Sequence, residues 1–157
     1  RIGQVLAGLF DAQSIPWVAV DDDPNAVSSF HAKGWPVYVG DASRGDLLRR
    51  LGLAQASAVV LTMDQPAAAV RAVRAIRADA PDVAIFARAR DERHAGALHT
   101  AGADAVIPET LESALQLGAL ALGRAGMAEA ELRAVLSRER DERVAPYANQ
   151  SSNGSPT

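Results

Sequence analysis

Short apolar runs and helical-period segments alternate along the chain with a regular beat. The runs "WVAV" (17–20), "VYV" (37–39), "AVVLT" (58–62), "VAIFA" (83–87) and "DAVI" (104–107) are short and rich in β-branched residues. Each is bounded by Pro, Gly or Asp, the pattern of buried parallel strands. Between them the apolar spacing lengthens to three and four. In "IGQVLAGLFDAQ", Ile2, Val5, Leu6, Leu9 and Phe10 form one stripe, as an amphipathic helix requires. Further helices are expected over "PNAVSSFHAKG", "RGDLLRRLG", "QPAAAVRAVRAIRADAP" and "DERHAGALHTAG", three of them closed by a glycine. Repeated βα units imply parallel strands joined by right-handed crossovers. The expectation is a Rossmann-like, doubly wound α/β sheet with C-terminal helices.

After "DAVIPET" the alternation stops. Residues 109–142 read as two helices broken around "GRAGM", the second carrying Leu132, Val135 and Leu136 on one side. From Ala148 onward the chain is almost entirely polar and is expected to be disordered. The expected organisation is therefore a nucleotide-binding-type domain over 1–125, a helical extension over 126–147 and a tail over 148–157.

The first helix starts at the first residues, with no strand before it. "RIGQ" resembles the end of a G-x-G-x-x-G turn, with Gly3 as its third glycine. On that reading the first strand and the start of the glycine-rich turn are absent, two strands lack a neighbour, and the phosphate-cradling amides are half present. Asp21 then follows the turn at the spacing of a ribose-binding carboxylate, about 20 residues. The alternative for Gly3 is an ordinary glycine at a helix start. Asp22, Asp23 and Pro24 read as the beginning of the next helix.

Composition narrows the chemistry. The 157 residues are 48% hydrophobic but only 4% aromatic, so small aliphatic side chains do the packing. There is no cysteine, which removes disulfides and thiolate metal sites. The net charge is -3 with acids and bases interspersed, so no basic footprint for nucleic acid stands out. No stretch reaches the ~20 apolar residues of a membrane span. No signal peptide is expected in the piece as given, and the piece itself is expected to be soluble. His31, His94 and His99 all fall on helices, with no acid/base pair of an enzyme among them and no convincing metal spacing.

Three blocks carry a more specific likeness: "VAVDDDP", "PVYVGDASRGDLLRRLGLAQASAVVLTMD" and "IFARARDERHAGALHTAGADAVIPET". Together they resemble the TrkA-N or RCK domain family of nucleotide-binding regulators of potassium channels and transporters. The last block, followed by "LQLGALALGRAG", is most similar to the cytoplasmic C-terminal domain of Kef-type potassium/proton antiporters. The resemblance covers roughly residues 1–125. It implies that Asp21 binds the ribose hydroxyls and that Asp41 and Ala42, in "GDAS", contact adenine. Asp41 has a second reading as a turn or cap residue, and Ser43 reads as an N-cap. Thr62, Met63 and Asp64 would stand at the mouth of the cleft. Arg88 would approach phosphates or form a structural pair with Glu109.

The implied ligand is an adenine nucleotide: AMP, NAD(H) or ATP. A carboxylate on the ribose repels a 2′-phosphate, which disfavours NADP. The implied partners are a second copy, through residues near 110–125, and a transmembrane antiporter domain at the cytoplasmic face of the cell membrane. "DERH" matches the region that contributes to the glutathione site in glutathione-gated Kef proteins. This chain lacks the arginines expected further along that helix, with His99 the nearest polar substitute, which weakens glutathione as a ligand. His94 reads first as a surface residue and second as a ligand. Two other functions compete: a separate nucleotide-binding subunit of a Trk/Ktr-type potassium uptake system, and an NAD-dependent oxidoreductase on the same sheet.

Overall fold

A computed structural model describes residues 2–148; Arg1 and 149–157, which hold most of the expected tail, lie outside the described residues. The elements follow the order α1 (Ile2–Ala12), β1 (Ala19–Asp21), α2 (Pro24–His31), β2 (Val37–Val39), α3 (Gly45–Arg50), β3 (Ala58–Leu61), α4 (Pro66–Asp79), β4 (Ala84–Ala89), α5 (Glu92–Ala101), β5 (Ala105–Pro108), α6 (Glu109–Arg124) and α7 (Glu129–Val144). Every expected strand and helix forms. The strands make two parallel ladders, β1–β2 and β3–β4–β5, and among the described residues no ladder joins β1 to β3. The chain divides into two compact units, residues up to 57 with 71–83, and 58–70 with 84 onward.

In the first unit, β1 and β2 pair from Ala19↔Val37 to Asp21↔Val39. Ala7, Val27, Val37 and Leu53 are buried, as are Ala72, Val73 and Ile76 on α4. The expected first strand begins two residues late because Trp17 is drawn elsewhere. Its indole Nε1 donates to Asp11 (2.7 Å), and its ring stands edge-on to Trp35 at 5.7 Å. Phe30 stacks on the same Trp35, and the Lys33 ammonium lies 5.4 Å from that indole's centre. Arg49 on α3 reaches Asp79 at the end of α4 (2.6 Å). Gly45 is small for this reason, since a Cβ there would sit 2.1 Å from the Asp79 carboxylate.

In the second unit, one sheet face is packed and the other is open. Ile85, Ala87, Ala89 and Val106 are buried together with Ala95 and Leu98 of α5. On the opposite face Val60, Phe86 and Ile107 remain 40–43% exposed. The ladder sets Val60 beside Phe86, and Arg88 beside Ile107. At the other end of β4, Asp104 accepts the Ile85 N–H (2.7 Å). Helices α6 and α7 pack as a hairpin joined by a bidentate Arg140–Glu112 pair at 2.8 and 3.0 Å. Gly126 makes the hairpin's left-handed turn at φ 96. Ala148 forms an isolated antiparallel bridge with Ala105. Among the described residues no helix is long and apolar enough to cross a membrane.

Gly52, after α3, also has left-handed backbone (φ 91), where an L side chain costs about 1–2 kcal/mol. Gly8 lies inside α1, and a methyl group there would meet nothing within 4 Å. Gly52→Ala should therefore lower the unfolding free energy in urea by about 1–2 kcal/mol, and Gly8→Ala should raise it by about 0.5–1 kcal/mol. The same sign for both would refute this placement of the two glycines.

Candidate functional site

The carboxyl ends of β1 and β2 are built from aspartates that accept amides two residues ahead, a local turn that ends a strand. Asp21 Oδ1 accepts the Asp23 N–H (2.9 Å), and Asp23 Oδ1 accepts the Asn25 N–H (2.9 Å). Asp23 is thus the N-cap of α2 with Pro24 behind it, as expected for a helix start. After β2 the pattern recurs: Asp41 Oδ1 accepts both the N–H and the hydroxyl of Ser43 (2.8 and 2.7 Å). Those two bonds hold the Asp41 carboxyl below its ordinary value of 3.8. Slight burial opposes them, and Arg71 and Arg44 assist. Ser43 is therefore not the N-cap expected of it. The cap of α3 is Arg44, without a side-chain hydrogen bond, and Ser43, one residue earlier, donates its hydroxyl to Asp41.

The two turns lie side by side in this unit. The Gly40 N–H donates to the Asp21 carbonyl (2.9 Å). A Cβ on Gly40 would fall 2.3 Å from Leu47 Cδ2 of α3 and 3.7 Å from Val20 Cγ1. A larger residue at Gly40 would have to push the Leu47 side chain aside to keep Asp41 and the half-buried Ala42 next to Asp21. Each carboxylate commits Oδ1 to its own turn, and among the described residues none takes Oδ2. Two ionised acceptor oxygens with open valences can receive hydroxyl or amino protons. Gly3, the remaining candidate here, lies exposed in the first turn of α1.

In the second unit, Thr62 and Met63 follow β3 half-buried, and Asp64 is exposed. The Arg88 side chain is only 16% exposed; Nη1 donates to Glu109 (2.9 Å), Nη2 donates to Asp64, and Nε is buried without a partner. The pair with Glu109 was one of two readings open from the sequence; the second carboxylate was not foreseen. Asp64 and Arg88 lie 24 positions apart and meet only because β3 and β4 are ladder neighbours.

His94 is not the surface residue expected. It is 6% exposed, on the face of α5 that also buries Ala95 and Leu98. Burial pushes its imidazole below the ordinary value of 6.5, with the Asp91 charge opposing. Near the same helix a cleft of about 310 Å³ opens among Glu92, Pro108, Leu111, Leu115, Glu139 and Arg143. Arg143 already pairs with Glu139 (3.2 Å). That lining carries two carboxylates and one guanidinium. Among the described residues no group of three His, Asp or Glu side chains could hold a metal ion.

The TrkA-N domain model matches residues 1–109. The chain belongs to the TrkA-N domain family. Curated relatives of this TrkA-N chain include the K(+) efflux antiporter 2, chloroplastic, of Arabidopsis thaliana, 37% identical over 94% of this chain and 13% of the relative. Another is the glutathione-regulated potassium-efflux system protein KefC of Cronobacter sakazakii, 35% identical over 85% of this chain and 22% of the relative. The chain thus spans about an eighth to a fifth of the length of these relatives. Among solved structures, the Shewanella denitrificans Kef CTD in its AMP-bound form aligns with a TM-score of 0.80 at 30% identity. That alignment covers 94% of this chain and 89% of that one. The TrkA-N domain of the Escherichia coli inner membrane protein ybaL aligns with a TM-score of 0.72 at 26% identity, covering 76% and 89%.

Proposed function

We propose that this TrkA-N domain is the cytoplasmic regulatory domain of a potassium/proton antiporter and that it binds an adenine nucleotide through Asp21. The observation that carries the reading is the paired turn of Asp21 and Asp41, each with one carboxylate oxygen left open at neighbouring strand ends. Vicinal ribose hydroxyls suit the Asp21 oxygen, and the adenine amine suits Asp41. Ala42 and the glycine-made turn bring backbone close to the base. Thr62, Met63, Asp64 and Arg88, at the carboxyl ends of β3 and β4, are proposed as a second set of ligand contacts, and Gly3 as part of the phosphate-binding turn. The antiporter assignment is supported by the potassium-efflux relatives, and the nucleotide by the AMP-bound Kef domain. AMP, NAD(H) and ATP all offer free ribose hydroxyls, whereas a 2′-phosphate would meet the Asp21 charge.

The domain acts by binding rather than turnover. A nucleotide that binds one arrangement of the regulatory domain better than another shifts the transporter toward it, and cannot act otherwise. A charge-assisted hydrogen bond contributes ~1.5–3 kcal/mol, so Asp21→Ala should weaken AMP or NADH binding roughly ten- to a hundredfold. Calorimetry gives the affinities, and amide shift mapping in NMR should place the perturbed signals at Asp21 and 40–43. Unchanged affinity, or shifts confined elsewhere, would overturn the ribose assignment.

A second copy is the proposed neighbour of the second unit. Leu117 and Leu120 on α6 are 68% and 72% exposed, and the open sheet face adds Val60, Phe86 and Ile107. Leu117 and Leu120, one helical turn apart, offer a second copy an apolar stripe on α6. Sedimentation at tens of micromolar should give a dimer that Leu117→Asp with Leu120→Asp converts to monomer. A monomeric parent chain would contradict the proposal.

A further inference from the structure

Helix α5 begins with two reciprocal contacts around one imidazole. The Asp91 carboxylate caps the helix by accepting the His94 backbone N–H (2.8 Å), and the His94 ring turns back so that Nδ1 accepts the Arg90 backbone N–H (3.2 Å). A backbone N–H only donates, so Nδ1 carries a lone pair and the neutral ring holds its proton on Nε2. The residue is 6% exposed, and Nε2 has no partner in hydrogen-bonding geometry. Four groups act on the ring: Asp91 at the head of α5, Arg90 and Arg88 from β4 and its turn, and the Pro66 backbone at the start of α4. Asp91 and Pro66 favour a charged ring; burial and both arginines oppose it.

The geometry points to His94 as a proton-binding site that latches the β4–α5 turn, closed while the ring is neutral and released when it is protonated. The incoming proton has only Nδ1 to bind, since Nε2 already carries one. Protonated Nδ1 is a donor facing the Arg90 N–H, so that hydrogen bond is lost and two donors oppose each other. The new cation also sits out of water, beside two residues that carry guanidinium groups. The ring must swing out, or residues 89–91 must lift. That turn continues directly from Arg88, whose guanidinium ties Asp64 to Glu109 at the first residue of α6. Releasing the turn therefore loosens the clamp at the base of the α6–α7 hairpin.

The sign of the pH dependence follows from the burial. The folded imidazole titrates below 6.5, so on acidification the unfolded chain takes up the proton first. The stability held by the neutral ring is complete above the unfolded value and is lost as pH falls through the folded one. The proton is here an effector bound at its own site, separate from the adenosine turns.

The test is a side-chain and backbone ¹H–¹⁵N NMR titration of the chain from pH 8 to 5 without nucleotide. The expected result is an Nε2–H tautomer at neutral pH, a His94 midpoint below 6.5, and an Arg90 amide shift following the same curve. A midpoint at or above the ordinary value, an Nδ1–H tautomer, or an Arg90 amide that ignores the titration would overturn the latch. His94→Asn keeps an acceptor near the Nδ1 position without a titrating ring. In it the Arg90 pH response should vanish, and a response that persists would assign control to another group. If that variant does not fold, the parent titration alone decides. Because no nucleotide is added, the outcome is independent of the adenosine reading.

Discussion

A parallel strand that stops must hand its next amides to some acceptor, and here aspartate side chains take that role. Asp21 and Asp41 each fold the chain away from the sheet by accepting an amide two residues ahead. The same oxygen serves both turns in the same way, which leaves the second oxygen of each carboxylate uncommitted. A group needed for folding is thereby also a group available to a ligand. The Gly40 N–H to the Asp21 carbonyl ties the two turns together. The run of three aspartates thus divides its work: Asp21 ends a strand, Asp23 caps a helix, and Asp22 is held by neither contact.

The second unit meets a different constraint. An arginine whose side chain is 16% exposed must have its charge compensated, because removing a charge from water costs several kcal/mol unless partners replace the hydration. Arg88 has two carboxylates, which leaves the trio at net charge -1 rather than as a bare cation. An anionic ligand approaching Arg88 must compete with Asp64, whose side chain is 83% exposed, before it meets Glu109. The clamp therefore ties the end of β3 to the first turn of α6, and the His94 turn abuts it along the chain. Charge at the strand ends and the seating of the hairpin helix are mechanically joined within this unit.

Much of the architecture was legible because period and punctuation agree. Five apolar runs became five parallel strands, and the glycines closing α3 and α5 adopt left-handed backbone as a helix stop requires. Asp21 and the "GDAS" turn were legible because strand ends and turn chemistry are local. What escaped was set by distant packing. Trp17 left its strand for Asp11, six residues back, and for Trp35, a pairing set by the fold of α1 and β2 rather than by the apolar period of its own run. His94 looked like a surface residue because α5 alternates polar and small residues weakly, and only the sheet decides which face is covered. The Asp64–Arg88 contact needed the register of β3 against β4.

The central claim is that the open oxygen of Asp21 receives a ribose. A crystal structure of the chain soaked or grown with AMP tests it most directly. The account predicts the ribose hydroxyls within hydrogen-bonding distance of the Asp21 carboxylate and the adenine edge against residues 41–42. A nucleotide bound elsewhere, with Asp21 still facing water, would contradict it.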